Sequence, residues 1–336
     1  MTKPLQSFVQ YSTATNTIRF TASRDRNTKE YVAIKITIAE ADSMPESKIL
    51  NSLALSEPSD EGYSGKALIP QVLDTFFLDG PNGRHSCPVT EPGMMTLAEA
   101  KNAPYSRLFE LPVARAIATQ AIQAVAFLHR RGVVHVDLHS GNIMSRLQNC
   151  IDDLSPRELY QKYGQPNMEP FERLDGKPLS DGIPTHGVVP IWIGKESELA
   201  TPSEAKMFEI IGQIPLFEGF NPSSDWIKKE HVDALGKLPC DWWQKWDARE
   251  RWFTEEATRA SGEACRSLNN NFVDSIQEPR WGKSMEDVGE AEKFALLTVV
   301  RGMLASRPGE KLTATEIMES EWMRRYALPA LGKVAG

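Results

Sequence analysis

The eight residues His135-Val136-Asp137-Leu138-His139-Ser140-Gly141-Asn142 constrain this chain most. They follow residues 111–131, where Val113, Ile117, Ala121, Ala124, Val125 and Leu128 recur at spacings of three and four. That spacing predicts an amphipathic helix with one buried face. Basic residues at its end and Gly132 just beyond it form a helix stop. A polar loop with a carboxylate and, five residues later, an amide thus emerges directly from a core helix through Gly132-Val133-Val134. A turn supported by Asp137 and Asn142 would use the same two residues for shape alone.

Up to about residue 92 the pattern is that of strands. Residues 17–22, 31–36 and 73–78 are rich in β-branched or aromatic side chains, the composition of strands. Asp79-Gly80-Pro81-Asn82-Gly83 overlaps three turn-forming pairs, so a strand near residues 87–90 should complete a hairpin. From about residue 93 the pattern becomes helical, opening at Thr96-Leu97-Ala98-Glu99, which has capping-box form. Residues 145–200 are rich in proline and glycine and read as a long insertion with one helix start at Ser155-Pro156-Arg157-Glu158. Helical patterns resume at Phe208, pass Trp242, Trp243, Trp246 and Trp252, and end on a helix opened by Thr313-Ala314-Thr315-Glu316. At 336 residues the chain suits two lobes, residues 1–92 and residues 93–336 with the insertion.

A net charge of −7 argues against a general nucleic-acid binder, which needs excess Lys and Arg to neutralise phosphates. The four cysteines, Cys87, Cys150, Cys240 and Cys265, form no CxxC pair and read as reduced thiols. Neither a secretory signal nor an apolar run of membrane-spanning length is read from the sequence. The expectation is a soluble protein of the cytoplasm or nucleus, without a membrane or direct nucleic-acid partner.

Phosphoryl transfer requires a carboxylate beside the attacking hydroxyl, groups that hold metal and phosphates, and a scaffold that aligns donor and acceptor. Asp137 is spaced to orient a hydroxyl proton, and Asn142 to reach a magnesium ion. Val32-Ala33-Ile34-Lys35 looks like a strand whose lysine meets phosphates. Glu46 either pairs with Lys35 or completes a capping box in Ser43-Met44-Pro45-Glu46. Cys87-Pro88-Val89-Thr90-Glu91-Pro92-Gly93 joins the strand-rich and helix-rich parts, as a plain linker or as a hinge whose backbone meets adenine.

In that order, Lys35, Glu46, the hinge and His135 to Asn142 resemble eukaryotic protein kinases, as does the end from Arg307-Pro308-Gly309-Glu310-Lys311-Leu312 through Thr313 and Glu316 to Trp322. The resemblance is to fungal relatives of the SR-protein kinases, a serine/threonine family. The long insertion supports it, as do Gly212-Gln213-Ile214-Pro215-Leu216-Phe217-Glu218-Gly219-Phe220 and Leu238-Pro239-Cys240-Asp241-Trp242-Trp243. It covers most of the chain. It implies an α+β, two-lobed kinase-like fold with a β-rich N-lobe and a helical C-lobe. It also implies catalytic roles for Asp137, Asn142 and His135, with Asn142 on the metal, and nucleotide contacts at Lys35, Glu46, Ala33, Thr90 and Glu91. ATP and Mg2+ are the implied cofactors, and an Arg/Ser-rich protein is the implied substrate or partner.

Three departures qualify what the resemblance implies. No glycine precedes Gly62, so the glycine-rich phosphate loop is missing, and residues 6–16 stand for a truncated or replaced first strand and loop. His139 occupies a position where most such kinases have lysine, and the Asp-Leu-His-x-Gly-Asn pattern also resembles small-molecule phosphotransferases of the aminoglycoside kinase type. Neither Asp-Phe-Gly nor Ala-Pro-Glu follows Asn142; Ser203 to Met207 reads as a strand start running directly into the later part of a core helix at Phe208. Asp152 and Asp153 read as acids at a helix start, and Asp175 and Asp181 as turn residues. The expected fold is therefore incomplete in both the phosphate loop and the activation segment. Expected activity is low or absent, with a catalytically inactive pseudokinase or binding scaffold as one alternative and a small-molecule phosphotransferase as a further one.

Overall fold

The β-branched and aromatic runs of the early chain pair into an antiparallel sheet in a computed structural model of the protein. The structure describes residues 7–11, 19–24, 30–37, 45–55, 65–80, 83–146, 151–165, 167–173, 175–179, 185–188, 207–217 and 223–334; residues 7–11, 19–24, 45, 46, 188, 207 and 334 are described by backbone alone. The strands are β1 (Ser7–Tyr11), β2 (Arg19–Arg24), β3 (Tyr31–Ile36), β4 (Val72–Gly80), β5 (Gly83–Thr90), β6 (Gly93–Thr96), β7 (Met144–Arg146), β8 (Met168–Pro170) and β9 (His186–Val188). The helices are α1 (Pro45–Ala54), α2 (Leu97–Asn102), α3 (Leu111–Arg130), α4 (Pro156–Tyr163), α5 (Met207–Ile211), α6 (Ser224–Leu235), α7 (Cys240–Trp243), α8 (Leu268–Phe272), α9 (Glu278–Trp281), α10 (Glu290–Met303), α11 (Ala314–Glu319) and α12 (Leu328–Val334). Contacts divide the chain into one unit from residues 1–96 and 144–200 and a second from residues 97–143 and 201–336.

The first unit is organised by a five-stranded sheet in the order β1-β2-β3-β5-β4. β3 spans the expected residues and pairs Ala33 with Thr90 and Ile34 with Val89. Val32 and Ile34 share one face with buried Cys87 and Val89, and Ile36 and Phe76 pack against that cluster. β1 forms within residues 6–16, the segment expected to replace a first strand and loop, and pairs with β2 from Ser7 opposite Ser23 to Tyr11 opposite Arg19. β5 begins at Gly83, four residues before the expected Cys87, which lengthens the hairpin with β4. Within the insertion, Ser155 and Glu158 form the expected capping box at the start of α4, and β8 pairs with β9.

α3 is the central element of the second unit, with buried residues running from Leu111 to Leu128. It stops where the sequence predicts: Gly132 takes φ +70° and donates to the His129 carbonyl at 3.0 Å, the left-handed turn that glycine enters without a Cβ penalty. By length and composition α3 is long and apolar enough to cross a membrane, a criterion that a buried core helix also meets; 67% of its most apolar 18-residue window is buried within the protein. α5, α11 and α12 pack on α3. Arg115 of α3 grips Glu292 of α10 with two hydrogen bonds, of 2.8 and 2.6 Å, and the same carboxylate accepts from the indole of Trp322 at 3.3 Å. The tryptophan-rich stretch forms its own cluster, in which Trp243, Trp246 and Phe253 are buried with Val232. Its buried indole N–H groups reach Glu255 at 3.2 Å and Asp225 at 2.9 Å, the pairing that buried tryptophan requires.

Arg280 is fully buried and donates to the carbonyls of Phe109 at 3.1 Å and Ile211 at 3.0 Å, tying α9 to the end of α5. An Arg280→Met substitution leaves both buried carbonyls unpaired, at about 1–3 kcal/mol each. We expect a loss of about 2–6 kcal/mol, read as a lower urea midpoint with an unchanged slope. His231 stacks on Phe217 with ring centroids 4.6 Å apart. Burial, reinforced by the Lys311 ammonium, holds its pKa below the ordinary 6.5. A depressed folded pKa means that the unfolded chain binds more protons in acid, so this contribution is present above about pH 6.5 and is lost as pH falls through the folded value. The urea midpoint should drop between pH 7.5 and 5.5, and the drop should shrink in His231→Phe, which retains the stacked ring.

Candidate functional site

The loop expected to carry chemistry leaves α3 at Gly132 and stays at the surface, with Val134 at 68% and Val136 at 93% relative exposure. It closes in a single 3-10 turn, Ser140–Asn142, capped by His139. The His139 Nδ1 accepts from the Gly141 N–H at 3.1 Å, so the ring proton sits on Nε2, which lies 3.8 Å from the Asp137 carboxylate. Asn142 donates through Nδ2 to the Asp137 backbone carbonyl at 2.9 Å and to its Oδ2 at 3.0 Å. Asn142 is thereby hydrogen-bonded to Asp137, and the His139 ring lies beside that carboxylate, beyond hydrogen-bond reach. His135 lies elsewhere, lining an apolar cleft of about 310 Å³ with Val125 and Leu128 of α3, Leu138 and Leu312.

This group suits proton handling and hard-cation ligation. The Asp137 side chain is 77% exposed, so an incoming hydroxyl can approach its carboxylate. Asn142 spends the Nδ2 side of its amide on Asp137, which leaves the amide oxygen as its ligating atom. A carboxylate and an amide oxygen are the donor types that magnesium takes, with phosphate oxygens and water completing its shell. Among the described residues no group of three His, Cys, Asp or Glu side chains gathers as a metal cage.

The other candidates fall in the first unit. Ala33 and Thr90 are neighbours across β3 and β5, and Lys35 lies on β3 opposite Phe20. Glu46 is the second residue of α1; its expected pairing with Lys35, and the alternative box on Ser43, lie outside the described residues. Glu91 pairs with Arg146 of β7 at 3.1 Å, a contact the sequence reading missed because 55 positions separate two ordinary surface charges. Asp152, expected as a helix-start acid, instead accepts the Tyr31 backbone N–H at 2.7 Å and so satisfies the first amide of β3. Asp175 is held by two hydrogen bonds of 2.8 Å from Arg173, and Asp181 lies outside the described residues.

No protein-family model matches the chain. Over 340 residues it is 22% identical to a serine/threonine protein kinase of Aspergillus fumigatus, an alignment covering 89% of this chain and 79% of that protein. It is 33% identical over 131 residues to the protein kinase dsk1 of Schizosaccharomyces pombe, covering 38% of this chain and 23% of dsk1. It is 28% identical over 172 residues to SRSF protein kinase 3 of Sus scrofa, covering 46% of this chain and 29% of that protein. These relatives support a place in the protein kinase superfamily, and the mixed helix-and-strand architecture is compatible with a kinase-like fold.

His139→Ala removes the cap on the Gly141 amide, a class of contact worth about 1 kcal/mol. Hydrogen exchange at Gly141 should accelerate by about fivefold to tenfold, while exchange in α3 stays at its wild-type rate.

Proposed function

We propose that this chain is a serine/threonine protein kinase-like protein of the SR-protein-kinase type, with phosphoryl transfer reduced by its missing parts. The observation that carries this reading is the Asp137–Asn142 pair, closed at 3.0 Å on a loop leaving a buried helix. Asp137 accepts or orients the proton of the attacking serine or threonine hydroxyl. Asn142 offers its amide oxygen to Mg2+, which when bound neutralises charge developing on the phosphates. Lys35 on β3 meets phosphate oxygens, with Glu46 as its partner, and Ala33, Thr90 and Glu91 line the adenine position. His135 belongs to the same loop, and its place in the apolar cleft favours holding the loop over proton transfer.

The reduction follows from the sequence between Asn142 and Phe208, where no Asp-Phe-Gly supplies a second metal carboxylate. One lost preorganised electrostatic group costs about 10²–10³ in turnover. Because that motif is absent, a non-enzymatic kinase-fold binding protein is the second reading. Relatives named as SRSF protein kinases favour an Arg/Ser-rich protein as substrate or binding partner in either case.

Thermal denaturation with and without Mg·ATP, together with phosphate transfer to an Arg-Ser peptide, tests the proposal. The expected result is a raised midpoint with Mg·ATP and slow transfer that Asp137→Asn abolishes. Nucleotide binding or peptide capture without transfer selects the binding-protein reading. Transfer to an aminoglycoside-like small molecule, with none to the peptide, overturns the protein-kinase reading.

A further inference from the structure

The turn carrying Asn142 is held from behind by two residues far from it in sequence. α5 is only five residues long, so the carbonyls of its last turn need partners outside the helix. Gly212 closes one bond onto the Phe208 carbonyl at 2.9 Å, but Gln213, which would close the next onto Glu209, donates instead to the Ser275 carbonyl at 2.6 Å. The Glu209 carbonyl is taken by Lys101, which reaches it with Nζ from α2. The Glu209 side chain points the other way in function: its Oε1 accepts the Ser140 hydroxyl at 3.0 Å. Ser140 opens the three-residue turn that ends on Asn142, and α2 itself packs against that turn.

Lys101 is 5% exposed. Burying an ammonium is costly, and lysine is almost never fully buried without a partner. Its pKa is lowered to about 8, chiefly by burial and further by Arg107, against the opposing charge of Glu209. An apolar side chain in α2 would avoid that cost but leave the Glu209 carbonyl without the Lys101 donor. The cation keeps the end of α5, and with it the Glu209 carboxylate, at the loop.

We infer that Lys101 and Glu209 are positioning residues for the Asp137–Asn142 pair, bracing through Ser140 the turn that presents the Asn142 amide. The inference rests on the reading of that pair as the phosphoryl-transfer site. Without the brace the turn is anchored by the Asn142 N–H bond to the His139 carbonyl at 2.9 Å and by the His139 cap.

The test uses the full chain, with the Asn142 side-chain amide followed by NMR and assigned by its loss in Asn142→Ala. In Glu209→Ala the two Asn142 amide protons should lose their shift separation and exchange with water about tenfold faster. Glu209→Gln retains an oxygen for the Ser140 hydroxyl and should preserve the wild-type signal, a rescue that simple core damage would not show. Lys101→Met should reproduce the alanine phenotype more weakly. Where Glu209→Ala does not fold, Ser140→Ala removes the same contact from the loop side with the same expected signal. Unchanged Asn142 shifts and exchange in a folded Glu209→Ala or Ser140→Ala protein overturn the brace. Failure of the wild type to bind Mg·ATP counts against the functional reading alone, because the amide signal reports the brace without nucleotide.

Discussion

Burial of one face of α3 is the constraint from which the second unit is built. Its small and aliphatic residues, from Leu111 through Ala114, Ile117, Ala118 and Ala121 to Leu128, let α5, α11 and α12 approach closely. Close approach permits native packing density, and that density makes each neighbour's placement definite. The Arg115–Glu292 pair and the Trp322 indole then fix α10 and the region after α11 against the same helix. Because α3 is rigid and ends sharply at Gly132, the residues that follow start from a fixed point and direction. The loop is polar and exposed, yet its origin is set by a long and largely buried helix.

Features governed by neighbouring residues were legible in the sequence. The end of α3 at Gly132, the boxes at Ser155 and Thr313, and the bounds of β3 follow from local propensity and capping chemistry. The start of β5 was missed because Gly83-Arg84-His85-Ser86 has no strand-like composition; partnership with β4 extends the strand through those residues. Asp152 looked like a helix-start acid because it stands near Ser155, whereas its partner is the Tyr31 amide, 121 positions earlier. Pairings across such distances leave no local pattern to read.

The candidate site divides along the same line. Asp137 and Asn142 were visible because a five-residue spacing brings both to one tight loop. The braces of that loop were not visible, since Lys101 and Glu209 stand 108 positions apart and neither is unusual in its own segment. His139 shows how a departure from a family pattern acquires a local role. A lysine has no acceptor for the Gly141 amide, whereas the neutral imidazole has one. The ring therefore puts a cap on the turn where a lysine would have put a mobile cation beside Asp137.

The threading of the chain through its units has a consequence for dissecting the gene. The first unit is assembled from two stretches, residues 1–96 and 144–200, with the α3 segment lying between them in sequence. A fragment ending at residue 96 would take away β7, the partner of β6, and the carboxylate that receives the first amide of β3. The five-stranded sheet would keep its strands but lose the carboxylate at the start of β3, and β6 would lose its partner strand. Deletion mapping that cuts once, at the apparent border between strands and helices, would therefore report the two halves as mutually dependent even for a property belonging to one unit alone.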